Sequence, residues 1–413
     1  MDFKRKLGFL PTPSTPPVNV PSAPAGSAPP GGLLDELRHK MAEILERPLA
    51  APPARRRADP SETTLPFARE DTPNGAIYRR HSILPPSHHV GRIPVDSAYD
   101  SRPELLALLA LDPSLSGLHL GGALFIDTET TGLGGSGAIA FLLGMAWFDE
   151  EKRLHVEQLL LRSPSDEPAM LDVLSERLGR TALLVSYNGK AFDWPLLKGR
   201  YVMNRREIPG DLPHLDLLHI GRRLHRQRLG ACRLKTLESA VLGFERGEDV
   251  DGGDVPARYS HFLRTGDEEA LRQVVEHNAW DVVSMAALVG LYGEPFDLMH
   301  GEDLIGFART MKRAGALSVA ERAADRALEL GAKGALKVRG DVHKARGDRA
   351  RALQDFESLA ESLDDPALRL ELAKLYEHFV KDPGRALEML ELGTGEAESA
   401  AEKRRLRLAR KRG

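Results

Sequence analysis

The stretch ALFIDTETTGLGGSG, residues 123–137, decides how the rest of the chain is interpreted. An apolar run ends in Asp127-Thr128-Glu129 and gives way to threonine and glycine. Alternation along a strand puts the side chains of Asp127 and Glu129 on one face, and we expect Thr128 to face the core. Two carboxylates at the end of a buried strand repel each other unless a cation lies between them. Oxygen ligands of this kind favour a hard ion such as Mg²⁺ or Mn²⁺.

The composition is that of an ordinary globular protein. Of the 413 residues, 42% are hydrophobic and 28% are charged, and the formal net charge of -3 gives no global basic field for nucleic acid. The single cysteine, Cys232, excludes a disulfide framework and a multi-cysteine zinc site. The longest apolar stretch, near residues 138–148, is too short to span a bilayer. We therefore expect a cytoplasmic protein with no membrane partner.

The N-terminal segment, residues 1–75, is rich in proline. Twelve of the 28 prolines fall within residues 1–60, so this segment is predicted to be largely disordered or extended. Apolar residues at helical spacing predict a short helix at 33–47. This helix either docks elsewhere on the protein or is isolated and marginally stable.

Residues 76–295 have the pattern of an α/β domain. Strands are predicted at 123–128, 139–148, 154–161 and 182–187, with the second and third forming a hairpin. Helices are predicted at 166–178, 192–203, 216–228, 234–242 and 268–291. A three-strand meander followed by alternating helix and strand indicates a mixed sheet with helices on its faces.

Residues 300–413 are predicted to be all-helical. Arg351-Ala352-Leu353 recurs as Arg385-Ala386-Leu387, a period of 34 residues. This is the tetratricopeptide period and predicts helical hairpins that could bind a protein partner. Unrelated amphipathic helices are the alternative interpretation. The basic C-terminal tail is predicted to be a solvated end.

Two further acidic motifs follow the first. Asp193 lies in SYNGKAFDWPLL, after an apolar strand and an Asn-Gly turn, where it is either a first-turn carboxylate favoured by the helix dipole or a third metal ligand. His277 and Asp281 lie four residues apart in EHNAWD, on one face of a helix. The helix is predicted to be well buried because apolar residues follow.

Together, FIDTETTGL, YNGKAFDWPLL and HNAWD resemble the three motifs of the DEDD superfamily of ribonuclease H-like 3′–5′ exonucleases over residues 120–292, and within it the YprB-like bacterial proteins. The resemblance implies a ribonuclease H-like fold. It also implies that Asp127, Glu129, Asp193 and Asp281 are metal ligands, and that His277 orients or deprotonates the attacking water. Such a site would use two Mg²⁺ or Mn²⁺ ions to hydrolyse phosphodiester bonds at single-stranded ends of DNA or RNA.

One departure from the family pattern keeps other functions open. His277 occupies the spacing of the tyrosine-type members, and position 276 is Glu. The leading hypothesis is a 3′–5′ exonuclease. The second is a catalytically weak or inactive nucleic-acid-binding scaffold that recruits partners through its helical repeats. The third is an endonuclease on the same fold, against which the helical third motif argues.

Substrate phosphates require a basic track. No acidic residue occurs between Asp216 and Glu238. This segment is either a phosphate-binding surface or an ordinary solvated helix face. The candidate nucleic-acid-binding residues are Arg222, Arg223, Arg226, Arg228, Thr131, Gly132 and Asn188. For Asn188, a role in the turn is the alternative.

Overall fold

The computed structural model describes residues 64–132, 137–247, 249–293 and 298–412. The helix predicted at 33–47 and most of the proline-rich segment lie outside these residues. The strands are β1 (Ala68–Thr72), β2 (Gly75–Leu84), β3 (His89–Val90), β4 (Ile93–Pro94), β5 (Ala123–Thr130), β6 (Ala140–Phe148), β7 (Leu154–Leu160), β8 (Leu183–Ser186) and β9 (His214–Asp216).

The helices before residue 300 are α1 (Pro103–Ala110), α2 (Glu167–Leu178), α3 (Asp193–Met203), α4 (Leu217–Leu229), α5 (Leu234–Leu237), α6 (Val255–Thr265) and α7 (Glu269–Gly293). A π-helical turn, Glu238–Leu242, continues α5. The later helices are α8 (Gly301–Arg313), α9 (Leu317–Glu329), α10 (Ala335–Arg346), α11 (Arg349–Ala360), α12 (Pro366–Leu375), α13 (Pro383–Glu391) and α14 (Glu398–Arg412). No helix in the described part of the chain is long and apolar enough to cross a membrane.

In the described part of the chain, seven strands form one mixed sheet in the order β1-β2-β7-β6-β5-β8-β9. β5 pairs antiparallel with β6 and parallel with β8, so it lies inside the sheet. β6 and β7 form the predicted hairpin. The predicted mixed α/β sheet with flanking helices is therefore confirmed. Because β5 and β8 are parallel, their carboxyl ends meet at the same edge of the sheet, and this edge receives the first two acidic motifs.

The sheet begins before the residues predicted to form it. β1 and β2 pair antiparallel and extend the sheet beyond β7. Their sequences, AREDT and GAIYRRHSIL, are largely polar and carry little alternation. The turn between them is Pro73-Asn74, and Gly75, the first residue of β2, has φ of +134°, a conformation that favours glycine.

The side chains of β5 alternate between two buried cores. Leu124 and Ile126 pack in one apolar cluster, whereas Phe125 packs in the other. Asp127 continues the Phe125 face, which α7 covers. Pairing between β5 and β6 shifts at Glu129 and Thr130, so a bulge lies beside the carboxylates.

The helices after residue 300 continue the core of the sheet region. One apolar cluster runs from Val90 on the β3–β4 ribbon to Val342 on α10. A separate cluster holds α11 to α14 together. Gly340 permits close packing of α10 on α11, because a Cβ there would lie 2.4 Å from the ring of Phe356. The all-helical character of this region is confirmed, while the tetratricopeptide assignment stays a prediction.

Candidate active site

Asp127 lies at the end of β5 in a fixed orientation. Asn278 Nδ2 donates a hydrogen bond to Asp127 Oδ2 at 2.8 Å. Gln158 Nε2 donates to Asn278 Oδ1 at 2.9 Å, which turns the NH₂ group of the amide toward Asp127. Gly144, opposite Asp127 on β6, leaves room for α7, because a Cβ there would lie 2.4 Å from Asn278 Oδ1. β6, β7 and α7 thus jointly set the position of this carboxylate.

Asp193, the first residue of α3, enters the site from the end of β8. Thr128 Oγ1 donates to Asp193 Oδ1 at 2.5 Å. The expectation that Thr128 faces the core is wrong, because its hydroxyl reaches the second-motif carboxylate. The turn before α3 also passes close to this group. A Cβ on Gly189 would lie 3.1 Å from Asp193 Oδ2 and 2.5 Å from Ser186 Oγ.

The turn of the second motif is held by Asp216, which is buried. Its carboxylate accepts hydrogen bonds from the backbone N–H groups of Asn188 at 2.8 Å and Lys190 at 3.2 Å. It also accepts from Leu218 N at 3.1 Å and so caps α4. Asn188 has φ of +69°, a left-handed conformation that asparagine tolerates. The structure gives Asn188 a turn role, and its contact with a nucleotide stays a prediction.

His277 and Asp281 project from α7 toward the first-motif carboxylates. His277 Nε2 is 3.6 Å from Asp281 Oδ2 and 3.9 Å from Glu129 Oε1. On the other side of the ring, His277 Nδ1 is 2.6 Å from Asp249 Oδ1. Arg246 Nη1 also lies 3.1 Å from Nδ1, but the Asp249 carboxylate is closer and only accepts, so we assign the proton to Nδ1. The neutral ring then presents the lone pair of Nε2 to the site.

Arg246 adds a positive charge that the sequence motifs do not indicate. Its Nη2 donates to Asp281 Oδ1. Its Nε also donates to Glu238 Oε2 at 2.7 Å and its Nη2 to Glu238 Oε1 at 2.5 Å, a two-point ion pair. The Arg246 and Glu238 side chains are 3% and 1% exposed, so the pair is buried beneath the site.

Burial and mutual repulsion dominate the electrostatics of the site. Burial, together with the charges of Asp281, Glu129 and Asp193, raises the pKa of Asp127 well above its ordinary value. Burial likewise raises the pKa of Glu129 to about 8, and that of Asp193 to about 6. For His277, burial favours the neutral ring, but the charges of Asp281 and Glu129 outweigh it and raise the pKa. The site therefore has too few positive charges for its acidic groups.

This donor set fits a hard divalent cation. Four carboxylates supply oxygen ligands only, and a dication would offset the burial and the mutual repulsion that raise the pKa values of Asp127 and Glu129. As placed, the described residues contain no three His, Cys, Asp or Glu side chains grouped closely enough to hold a metal ion. Asp127 is held by Asn278 and Asp281 by Arg246. Metal uptake would require these side chains to adjust.

An open cavity of about 770 Å³ lies beside the carboxylates. Glu129, Asp193 and the predicted contact residue Gly132 line it. Phe192 and Met203 form part of its apolar wall and are 54% and 60% exposed. Large apolar side chains left open to solvent beside polar groups are typical of a binding groove.

The predicted basic track does not line this cavity. Arg223 Nη1 donates to the carbonyl of Leu109 at 2.9 Å, and Arg228 Nη2 pairs with Asp303 of α8 at 2.6 Å. Arg222 and Arg226 are exposed on α4. None of the four is among the cavity-lining residues of the described chain. Thr131 also lies outside that lining: its N–H donates to Ile139 O at 3.0 Å and its hydroxyl accepts from Ile139 N.

Sequence reasoning did not identify five side chains of the site or its support: Thr128, Asp216, Arg246, Asp249 and Asn278. Asn278 follows His277 in the third motif, and this adjacency was an available signal. Arg246 and Asp249 lie in the loop between α5 and α6, where no periodicity marks them. Only the tertiary fold brings these two residues to the site.

Comparison with known proteins agrees with this fold. A profile of the RNase_H superfamily matches residues 124–292. YprB of Bacillus subtilis (strain 168), itself described as uncharacterized, is 33% identical over 315 residues, which are 72% of this chain and 76% of that protein. The family B DNA polymerase of the hyperthermophilic archaeon Pyrobaculum calidifontis is 16% identical with a TM-score of 0.33, covering 51% of this chain and 29% of the polymerase. That structural similarity is too low to support an argument.

The mixed sheet with flanking helices is that of a ribonuclease H-like protein, as predicted. Within that superfamily, the chain belongs to the family of YprB. This membership supports a role in nucleic-acid processing.

Proposed function

We propose that this protein is a divalent-metal-dependent 3′–5′ exonuclease that acts on single-stranded nucleic-acid ends. The observation that carries the proposal is the convergence of three acidic motifs beside one groove. Glu129 and Asp281 both face His277 Nε2, while Asp193 and Glu129 line the cavity. Asp127, Glu129, Asp193 and Asp281 would hold the Mg²⁺ or Mn²⁺ ions, which number two in the mechanism that the resemblance implies. When bound, these ions would neutralise charge on the phosphate and acidify the attacking water.

His277 is proposed to accept the proton of that water at Nε2. Asp249 supports this role, because its hydrogen bond to Nδ1 fixes the ring and leaves Nε2 unprotonated in the neutral form. Lys235 Nζ lies 3.0 Å from Asp249 Oδ2 and helps to hold that carboxylate. At the tyrosine spacing, the imidazole would thus need only to direct the lone pair of Nε2 at the attacking water.

The groove supports a single-stranded end as substrate. Exposed Phe192 and Met203 offer apolar surface on which an unstacked terminal base could lie, whereas a duplex keeps its bases stacked inside. Gly132 and Asn188 are proposed to contact the terminal nucleotide. The 3′–5′ direction rests on the resemblance to the DEDD exonucleases.

The test uses matched DNA and RNA strands, single- and double-stranded, with either the 3′ or the 5′ end blocked. We expect Mn²⁺-dependent stepwise shortening of single strands that a 3′ block and EDTA each abolish. Asp127→Asn is the inactive control. Shortening that survives the 3′ block would contradict the direction, and cleavage of a circular strand would indicate an endonuclease.

A second candidate is a nucleic-acid-binding scaffold with little hydrolytic activity. The ion pair between Arg246 and Asp281 favours it, because a guanidinium already neutralises one of the proposed ligands. The helices after residue 300 would then recruit a protein partner, as their 34-residue period suggests. Retardation of the labelled strands in a gel without shortening would support this candidate.

A further inference from the structure

Arg246 lies where a metal-dependent nuclease would hold a cation. Its guanidinium contacts Asp281 Oδ1 and both oxygens of Glu238. Its Nη1 also lies 3.1 Å from His277 Nδ1 and 3.4 Å from the carbonyl oxygen of His277. One arginine therefore binds the π-helical turn after α5 and two positions of α7, and it contributes a permanent positive charge at the third acidic motif.

The burial of Glu238 keeps Arg246 in this place. Burial raises the pKa of Glu238, whereas the hydrogen bond and charge of Arg246 lower it. If the guanidinium moved away, a carboxylate that is 1% exposed would lose its charged partner. Glu238 thus holds Arg246 in place. Glu238 is not a proposed metal ligand, and its ion pair with Arg246 does not depend on Asp281.

We propose that Arg246 acts as a fixed cation on the Asp281 side of the site, so that the protein takes up one divalent ion rather than two. This inference rests on the metal site of the proposed function and changes its ion count. Four carboxylates can balance two dications. With a guanidinium already bound to Asp281, a second dication a few ångströms away would meet like-charge repulsion in a buried environment. Arg246 would then supply part of the positive charge that the phosphate requires.

The experiment counts bound Mn²⁺ on the full chain by titration calorimetry and by the loss of the free-ion electron paramagnetic resonance signal. We expect the unmodified protein to bind one ion tightly. Arg246→Met, which keeps the bulk and removes the charge, is expected to bind two ions, or to bind the first at least tenfold more tightly. Arg246→Lys keeps the charge and is expected to bind one ion.

The matched control is Arg339→Met. Arg339 forms a comparable ion pair with Asp355, 2.6 Å apart, among the later helices, and Asp355 is 4% exposed. Its removal is expected to leave Mn²⁺ binding unchanged, which separates charge at the site from a general effect of breaking an ion pair. Thermal melting in EDTA checks that each variant is folded.

Because the unmodified protein is itself counted, the inference is testable even if Arg246→Met does not fold. Two ions bound to the unmodified protein would overturn it. So would two ions bound to Arg246→Lys, since the charge would then not be the cause. If neither the unmodified protein nor Arg246→Met bound Mn²⁺, the metal site of the proposed function would itself be contradicted.

Discussion

The carboxylates at the end of β5 and the carboxylate of Glu377 in the later helices are both buried, but their surroundings differ. Glu377 lies in a π-helical turn after α12 with its side chain fully covered. Arg407 Nη2 and Lys411 Nζ of α14 donate to it at 2.7 and 2.8 Å. Burial opposes its ionisation, yet these partners outweigh burial and lower its pKa to about 2. Burial and neighbouring acids instead raise the pKa of Glu129 to about 8.

This difference distinguishes a buried charge that the chain itself neutralises from a buried charge that a ligand would have to neutralise. In the later helices the chain supplies the cations, and the basic C-terminal segment becomes α14, which Glu377 holds through Arg407 and Lys411. Near the carboxylates at the end of β5, the main cation that the chain supplies is Arg246. Uncompensated charge in a cleft is costly and therefore indicates a functional site. Substitutions that remove one carboxylate from each region should have opposite consequences.

The largest effect is expected for Asp127→Asn. Removing this ligand should lower nuclease activity by about 10³-fold, the range seen when a key charge-stabilising group is lost. In EDTA the melting temperature should be unchanged or higher, since a buried acidic group is replaced by a neutral amide. Activity assays and calorimetric melting measure the two effects. A folded variant with full activity would remove Asp127 from the mechanism.

Glu377→Gln should lower stability and leave activity unchanged, the reverse of Asp127→Asn. Loss of this carboxylate leaves Arg404 and the half-exposed Arg407 and Lys411 with a weaker partner, and we expect the free energy of unfolding to fall by about 2 kcal/mol. Nuclease activity at 25 °C should not change. Urea unfolding measures the loss. The matched control is Glu357→Gln, whose exposed pair with Arg385 should contribute no more than about 1 kcal/mol.

The pH dependence of the stability that Glu377 contributes sharpens the comparison between the two regions. The pKa of Glu377 is about 2 in the folded chain and 4.5 in its ordinary state, so its contribution is fully present above about pH 4.5. It is lost as the pH falls toward 2, because the folded state then binds the proton that the unfolded state has already taken up. The difference in unfolding free energy between the unmodified protein and Glu377→Gln should therefore shrink from pH 6 to pH 3. A constant difference would show that the carboxylate charge is not responsible.

Asp249→Asn tests whether Asp249 positions the ring of His277. An amide can donate to the ring and favour the other tautomer of His277, which removes the lone pair from Nε2. We expect kcat to fall about 10- to 100-fold, as for other residues that orient a catalytic group, with KM unchanged. Glu245→Gln, an exposed residue of the same loop, is the control. A change in KM alone would assign Asp249 to substrate binding.

The smallest effect is expected for Phe192→Ala at the wall of the groove. Loss of one stacking surface weakens binding of a base by about 1–3 kcal/mol, so KM for a single strand should rise while kcat stays similar. Phe379→Ala removes an aromatic of 40% exposure from the later helices and should change neither constant. Equal effects of both substitutions would contradict the groove as the substrate site.

Local pattern was sufficient to predict much of the sheet and its acidic edge. The strands from residue 123 to 186 are apolar runs ended by turn residues, and the structure has them within a few residues of the predicted bounds. Local pattern was insufficient for β1 and β2, because these largely polar strands carry no continuous apolar run. Their position depends on pairing: β2 pairs with β7, and β1 pairs with β2 at the edge of the sheet. Local pattern also did not show that Arg223 and Arg228 are engaged in contacts with Leu109 and Asp303.

The sequence by itself determined the class of fold and the positions of the four acidic groups, because hydrophobic periodicity and turn residues act over a few neighbouring residues. The tertiary structure alone decided what surrounds those groups. Arg246 and Asp249 come from a loop, and Asn278 meets Asp127 across 151 residues of chain. Charge compensation depends on distance in space and on burial, and neither quantity is encoded in the local spacing of residues.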